Sequence, residues 1–240
     1  TTTVNIDATG VTTVAAAGDI TASGAVAFGA AKSGTLTTSG NITTTNDNIT
    51  FTRAVTLGGA VTLATGTGAG NILFSATVAT GGNNLTLDAG DAGNITITGA
   101  LTGGGNLAVT DGAVQVYAAL TVKSLTISDA TTSVTFGGAI TSTAGVNIDS
   151  GGTIVLNAAM SATTVSIDST GVTTIAAAGN ITATDAVAFG ATLAGTLTTS
   201  GDITTTNDNI TFTRAVTLAG AVTLDTGSGD GNILFSAAIA

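Results

Sequence analysis

Aspartate is the residue type in this chain most able to do chemistry. There are 14 acidic residues, all Asp, and no His and no Cys. A Ser or Cys nucleophile would have no imidazole to activate it. Tyr117 is the single tyrosine. Paired Asp could still serve as acid and base, but Asp is also the residue that turns favour. We therefore expect no enzyme, with no catalytic and no cofactor-binding residue. The best metal candidate is Asp225-Thr-Gly-Ser-Gly-Asp230-Gly-Asn232, where oxygen ligands alternate with Gly as in calcium loops. Its earlier counterpart, Ala64-Thr-Gly-Thr-Gly-Ala69-Gly-Asn71, lacks both carboxylates, and Asp88 to Asn94 is a thinner version. A plain turn is the favoured reading of all three, so no metal ligand is assigned.

Three further patterns need weighing. Asn-x-Thr occurs at Asn41, Asn48, Asn84, Asn94, Asn180 and Asn209, each at or just before an apolar alternation. It reads either as a glycan acceptor or as a turn or stacked Asn, and the second is expected. Gly103 to Gly105 lacks the strand-to-helix context of a phosphate loop. Thr50-Phe-Thr52 and Thr96-Ile-Thr98 suggest a flat hydroxyl face of the ice-binding kind. The pattern is not sustained at Val114–Val116 or Ile154–Leu156.

Composition narrows the class. Of 240 residues, 43% are hydrophobic and only 8% charged, a balance that argues for a packed core over disorder. Net charge is −10, with Lys32, Lys123, Arg53 and Arg214 the basic residues. So few cations disfavour a nucleic-acid partner and an anionic membrane surface. Gly breaks every apolar run before it reaches the length of a membrane helix, and the 3% aromatic content is too low for the girdles of a membrane barrel. The chain opens TTTVNID, without a signal segment, which suggests an internal piece of a longer secreted protein.

The elements that must position these residues are short strands. Apolar-x-apolar triplets fall at Val26/Phe28, Ile49/Phe51, Ile72/Phe74, Ile95/Ile97, Val114/Val116, Val134/Phe136 and Ile154/Leu156, with steps of 19 to 23 residues. A single apolar residue follows each later triplet, at Val55, Val78, Leu101, Leu120, Ile140 and Met160. A second triplet comes next, from Val61/Leu63 through Val165/Ile167. Period-two spacing marks a strand with one buried face. Three such pieces per 20–23 residues, joined by turn residues, predict an all-β, right-handed parallel β-helix (β-solenoid).

A longer period overlies the shorter one. Residues 2–79 match residues 163–240 without a gap, an offset of 161, so the chain reads as one continuous solenoid segment holding about one and a half copies of a unit. Counting seven coils per unit predicts a rise of about 34 Å. The step of 33 residues from Ile154/Leu156 to Val187/Phe189 is irregular. Either one coil has an extra side or the register slips by half a coil around Leu36 to Ile49. Phe28, Phe51 and Phe74 should form one column, and Phe189, Phe212 and Phe235 should repeat it. Lys32/Leu193, Gly24/Asp185, Ala64/Asp225 and Ala69/Asp230 differ sharply between copies and should be turns or surface. Arg53 and Arg214 are expected to face solvent or to pair with an Asp on a neighbouring coil. Joining Ala240 to Thr1 of another copy preserves the apolar spacing, which predicts head-to-tail continuation.

The segments GDITASGAVAF (18–28), AGNITITGALTGGGNLAVTDGAV (92–114) and GVNIDSGGTIVLNAA (145–159) resemble the repeats of filamentous-haemagglutinin-type adhesins and related bacterial β-strand-repeat surface proteins. The resemblance implies export, an extracellular or cell-surface location, and roles in adhesion, matrix or filaments. The leading expectation is a structural component of a filament whose partners are copies of itself. An adhesin stalk that contacts a host or neighbour cell, and a functional amyloid, are the alternatives.

Overall fold

The computed structural model describes residues 2–29, 34–190, 192 and 194–240. These residues form 33 short strands in three parallel sheets of eleven, and each sheet takes every third strand in chain order. One pass through sheets I, II and III is one coil, and the eleven coils stack as a β-solenoid.

The three pieces read from each sequence step are the three sides of a coil. Val26, Ile49, Ile72, Ile95, Val114, Val134 and Ile154 are paired in order along sheet I. Val55, Val78, Leu101, Leu120, Ile140 and Met160 run along sheet II. Val61, Leu85, Leu107, Leu125, Val146 and Val165 run along sheet III. Alternate side chains point inward, and these columns are fully buried in one continuous core. Two stacks of phenylalanine rings stand in that core. Ring centroids are 5.4 Å apart for Phe28–Phe51 and 4.8 Å for Phe51–Phe74. They are 5.4 Å apart for Phe189–Phe212 and 4.6 Å for Phe212–Phe235. Each near-parallel pair adds about 0.5–1.5 kcal/mol beyond burial of its area.

The irregular step resolves differently from both expectations. Leu156 in sheet I is followed upward by Ile175, not by Phe189. Phe189 instead stacks on Ile167 in sheet III. Between Ile154–Leu156 and Val187–Phe189 the chain makes the strands Met160–Ala162, Thr164–Ser169, Val172–Ile175 and Ile181–Ala183. The step is thus five strands long, one coil and two sides. Val4, on the first strand, and its equivalent Val165, on the twenty-fourth, are 23 strands apart. The unit therefore takes seven coils and two further strands, not seven coils, and rises about 37 Å. The second phenylalanine column accordingly stands on sheet III while the first stands on sheet I.

Candidate functional site

Two corners hold the charged side chains that the core admits. Arg53 follows Phe51 where the chain leaves sheet I for sheet II, and Arg214 follows Phe212 where it leaves sheet III for sheet I. The expectation that these arginines face solvent is wrong: they are only 4% exposed. Each reaches an Asp two coils below, not on the adjacent coil. Arg53 Nη2 donates to Asp7 Oδ1 at 3.0 Å, and Arg214 Nη2 makes the same bond to Asp168 Oδ1. The coil between them supplies Gly29 or Gly190, which has φ of 79° in both cases. A Cβ at either glycine would collide with the guanidinium, so Gly satisfies both the left-handed backbone and the passage of the side chain.

The corners are electrostatically costly and closely furnished. Burial pushes Arg214 below its ordinary pKa, and the carboxylate of Asp168 opposes that shift. Arg214 Nη1 donates to Ser169 Oγ at 2.9 Å and Thr173 Oγ1 at 3.2 Å. Asp168 Oδ2 accepts from the Thr192 amide at 2.6 Å and its hydroxyl at 2.7 Å. The Nε–H of each arginine, pressed against its glycine, has no hydrogen-bond partner among the described residues. These are structural clamps spanning three coils.

The other sequence candidates take definite places in the coils. Asp225 accepts a hydrogen bond from the Gly227 amide at 2.8 Å, and Asn207 closes the same loop by accepting from Gly229 at 2.6 Å. The carboxylate-free counterpart is closed in the same way by Asn46 and Gly68 at 2.7 Å. Asn46 and Asn207 have φ of 58° and 60°, a conformation Asn tolerates. Asp88 in the thinner candidate accepts from the Gly90 amide at 3.1 Å. Among the described residues no three His, Cys, Asp or Glu side chains are grouped to hold a metal ion.

The Asn-x-Thr asparagines form ladders. Asn48 Oδ1 accepts from both the backbone and side-chain nitrogens of Asn71, at 2.9 and 3.0 Å, and Asn71 does the same for Asn94. Asn209 and Asn232 repeat the rung. Asn41, Asn84 and Asn180 each accept a backbone N–H from the coil above. Gly103 and Gly105 are packed on the backbone of residues 80–83. Thr50 and Thr96 alternate along sheet I with Leu73, and Gln115 follows. The longer hydroxyl row lies on sheet II, where Thr121, Thr141, Ser161, Thr182 and Thr204 are successive neighbours. Tyr117 is exposed and donates to Gln115 at 2.9 Å. Of the positions that differ between copies, Gly24, Asp185, Ala69 and Asp230 lie in bends, and Ala64 and Asp225 are outward strand positions. Lys32 and Leu193 lie outside the described residues.

Fold and corners together define a class: a three-sided parallel β-solenoid built from a long sequence unit. Comparison of the chain with protein-family models, with curated proteins and with solved structures finds no match.

Proposed function

We propose that this chain is a length-building segment of an extracellular bacterial fibre, in which coils continue head to tail with copies of the same unit. One observation carries the reading. The second copy of the unit resumes directly on the coils of the first, with the three sheets running on through the junction and no capping element between copies. Each coil buries its neighbour's inner face, so a stack gains stability by adding coils, as repeat proteins do. Net charge of −10 keeps such rods apart and soluble. The resemblance of the repeats to surface-fibre proteins supports an exported location.

Electron microscopy of the chain, and of the chain extended by one further 161-residue unit, tests this. The extended chain should be the same rod, longer by about 37 Å. A bend, or a second particle attached to an unlengthened rod, overturns the reading.

A further inference from the structure

The 161-residue unit does not close on a whole number of coils, and this has a consequence for the surface of the fibre. Val4–Ile6 lies in sheet I, but the equivalent Val165 and Ile167 lie in sheet III. Thr35–Thr38 lies in sheet II, and its equivalent Thr196–Thr199 in sheet I. Ile20–Thr21 lies in sheet III, and the equivalent Ile181 and Thr182 in sheet II. Every element has moved by one face in the same sense. The buried arginine has moved with them, from the corner joining sheets I and II to the corner joining sheets III and I.

We infer that a run of these units is a threefold screw, each unit presenting its faces and edges a third of a turn away from those of the unit before it. This rests on the reading that the unit builds length. Two strands beyond seven coils leave each unit short of a full turn by one side, so three units make 69 strands, or 23 complete coils. The surface then returns to its starting orientation only after about 110 Å, not after the 37 Å of one unit.

The screw fixes the kind of partner the fibre can meet. A binding residue present once per unit cannot line up along one face with its equivalents in the next two units. Successive units cannot together contact a flat target, and such residues are distributed around the rod. The arrangement fits a partner that reaches the rod from all three sides, and the net charge of −10 argues against that partner being a second rod of the same kind. It does not fit a single adhesive face built from repeated contacts.

The geometric basis can be tested in the intact chain, which has no cysteine to interfere. Ser166 and Ala188 are outward-facing neighbours in sheet III. If the 33-residue step were instead one coil with an extra side, Ala188 would sit above Val155 of sheet I. Nitroxide labels are placed on the pair S166C/A188C and, separately, on V155C/A188C. Spin exchange, which needs labels on adjacent strands about 4.8 Å apart, is expected in the first pair and absent in the second. Exchange in the second pair, or none in the first, overturns the screw. Either result would leave the lengthening of the rod by an added unit to be judged by microscopy alone, so the two readings fail separately.

Discussion

The corners at Arg53 and Arg214 are the same piece of sequence placed on different edges of the solenoid, and they are not equally well made. Among the described residues Arg53 Nη1 has a single long contact, 3.4 Å to Thr12 Oγ1. Arg214 keeps that contact through the equivalent Thr173, now at 3.2 Å, and adds Ser169 Oγ at 2.9 Å. Ser169 stands where the first copy has Ala8, and Thr192 where the first copy has Ala31, a residue outside those described. The acids differ in the same direction: the side chain of Asp7 is 19% exposed and that of Asp168 is 8%. A buried ion pair is tolerable when the remaining donors and lone pairs are met. At the second corner Ser169 and Thr192 add hydroxyls that bond Arg214 and Asp168. The lesson is that one repeated Asp–Gly–Arg clamp can be furnished to different degrees by small changes in the side chains around it.

The largest effect that would break this comparison is removal of the arginine. R214M leaves Asp168 buried without its counter-charge and should cost about 3–5 kcal/mol. R53M should cost less, because Asp7 retains contact with water. Amide hydrogen exchange, read at strands Thr164–Ser169, Val187–Phe189 and Ile210–Phe212 for the first variant and at Val4–Ile6, Val26–Phe28 and Ile49–Phe51 for the second, reports each corner locally. Equal losses at both would show that the added hydroxyls at the second corner do not matter.

A finer cut exchanges the hydroxyl alone. S169A removes one donor–acceptor link from the second corner and should cost about 1 kcal/mol. A8S installs the missing group at the first corner and should recover part of that amount. Urea unfolding midpoints of the two variants measure both terms. Loss at the second corner with no gain at the first would mean that the first is limited by the exposure of Asp7 and not by a missing hydroxyl.

The sequence showed the coil but not the corners, and the reason is physical in each case. Val114, Leu120 and Leu125 could be read as three sides of a coil because a half-buried strand repeats its apolar residues every second position. The strand Val172–Ile175 escaped because its inner slot is Thr173, a polar residue that is fully buried and hydrogen-bonded to Ser169 and Arg214. Thr38 and Thr199 hide the neighbouring strands similarly, each bonding a carbonyl two residues on, at 3.0 and 2.9 Å. With those strands hidden, five sides read as one irregular coil, and the change of face leaves no mark in the apolar pattern. The arginine clamps were illegible because each partner lies 46 residues away and two coils down. One signal was present: both copies keep the Asp, the Gly and the Arg together, at positions 7, 29 and 53 and at 168, 190 and 214.

The smallest expected effect separates the corners by pH. Asp149 lies beside Asp168 in sheet III, in register, and the pair extends toward Asp129. Burial raises the pKa of Asp149 above its ordinary value of 3.8, and the charges of Asp168 and Asp129 raise it further. A carboxyl whose pKa is raised on folding favours the folded state when protonated. Its contribution is complete below 3.8 and is lost as pH rises through the higher folded value. At neutral pH Asp149 is therefore a repulsive neighbour of the second corner, kept in place by the rest of the stack. Replacing it with the neutral amide in D149N should raise stability at pH 7 and flatten the decline across the window just above pH 3.8. The same substitution should leave amide exchange around Asp7 unchanged at every pH, because that corner stands in the first coil of the described residues, far from sheet III at Asp149. Urea midpoints measured through this window decide the matter. A D149N profile parallel to that of the parent chain would mean that the acid column does not bear on the clamp, and that Arg214, Thr192 and the Ser169 amide hold Asp168 without regard to its neighbouring acids.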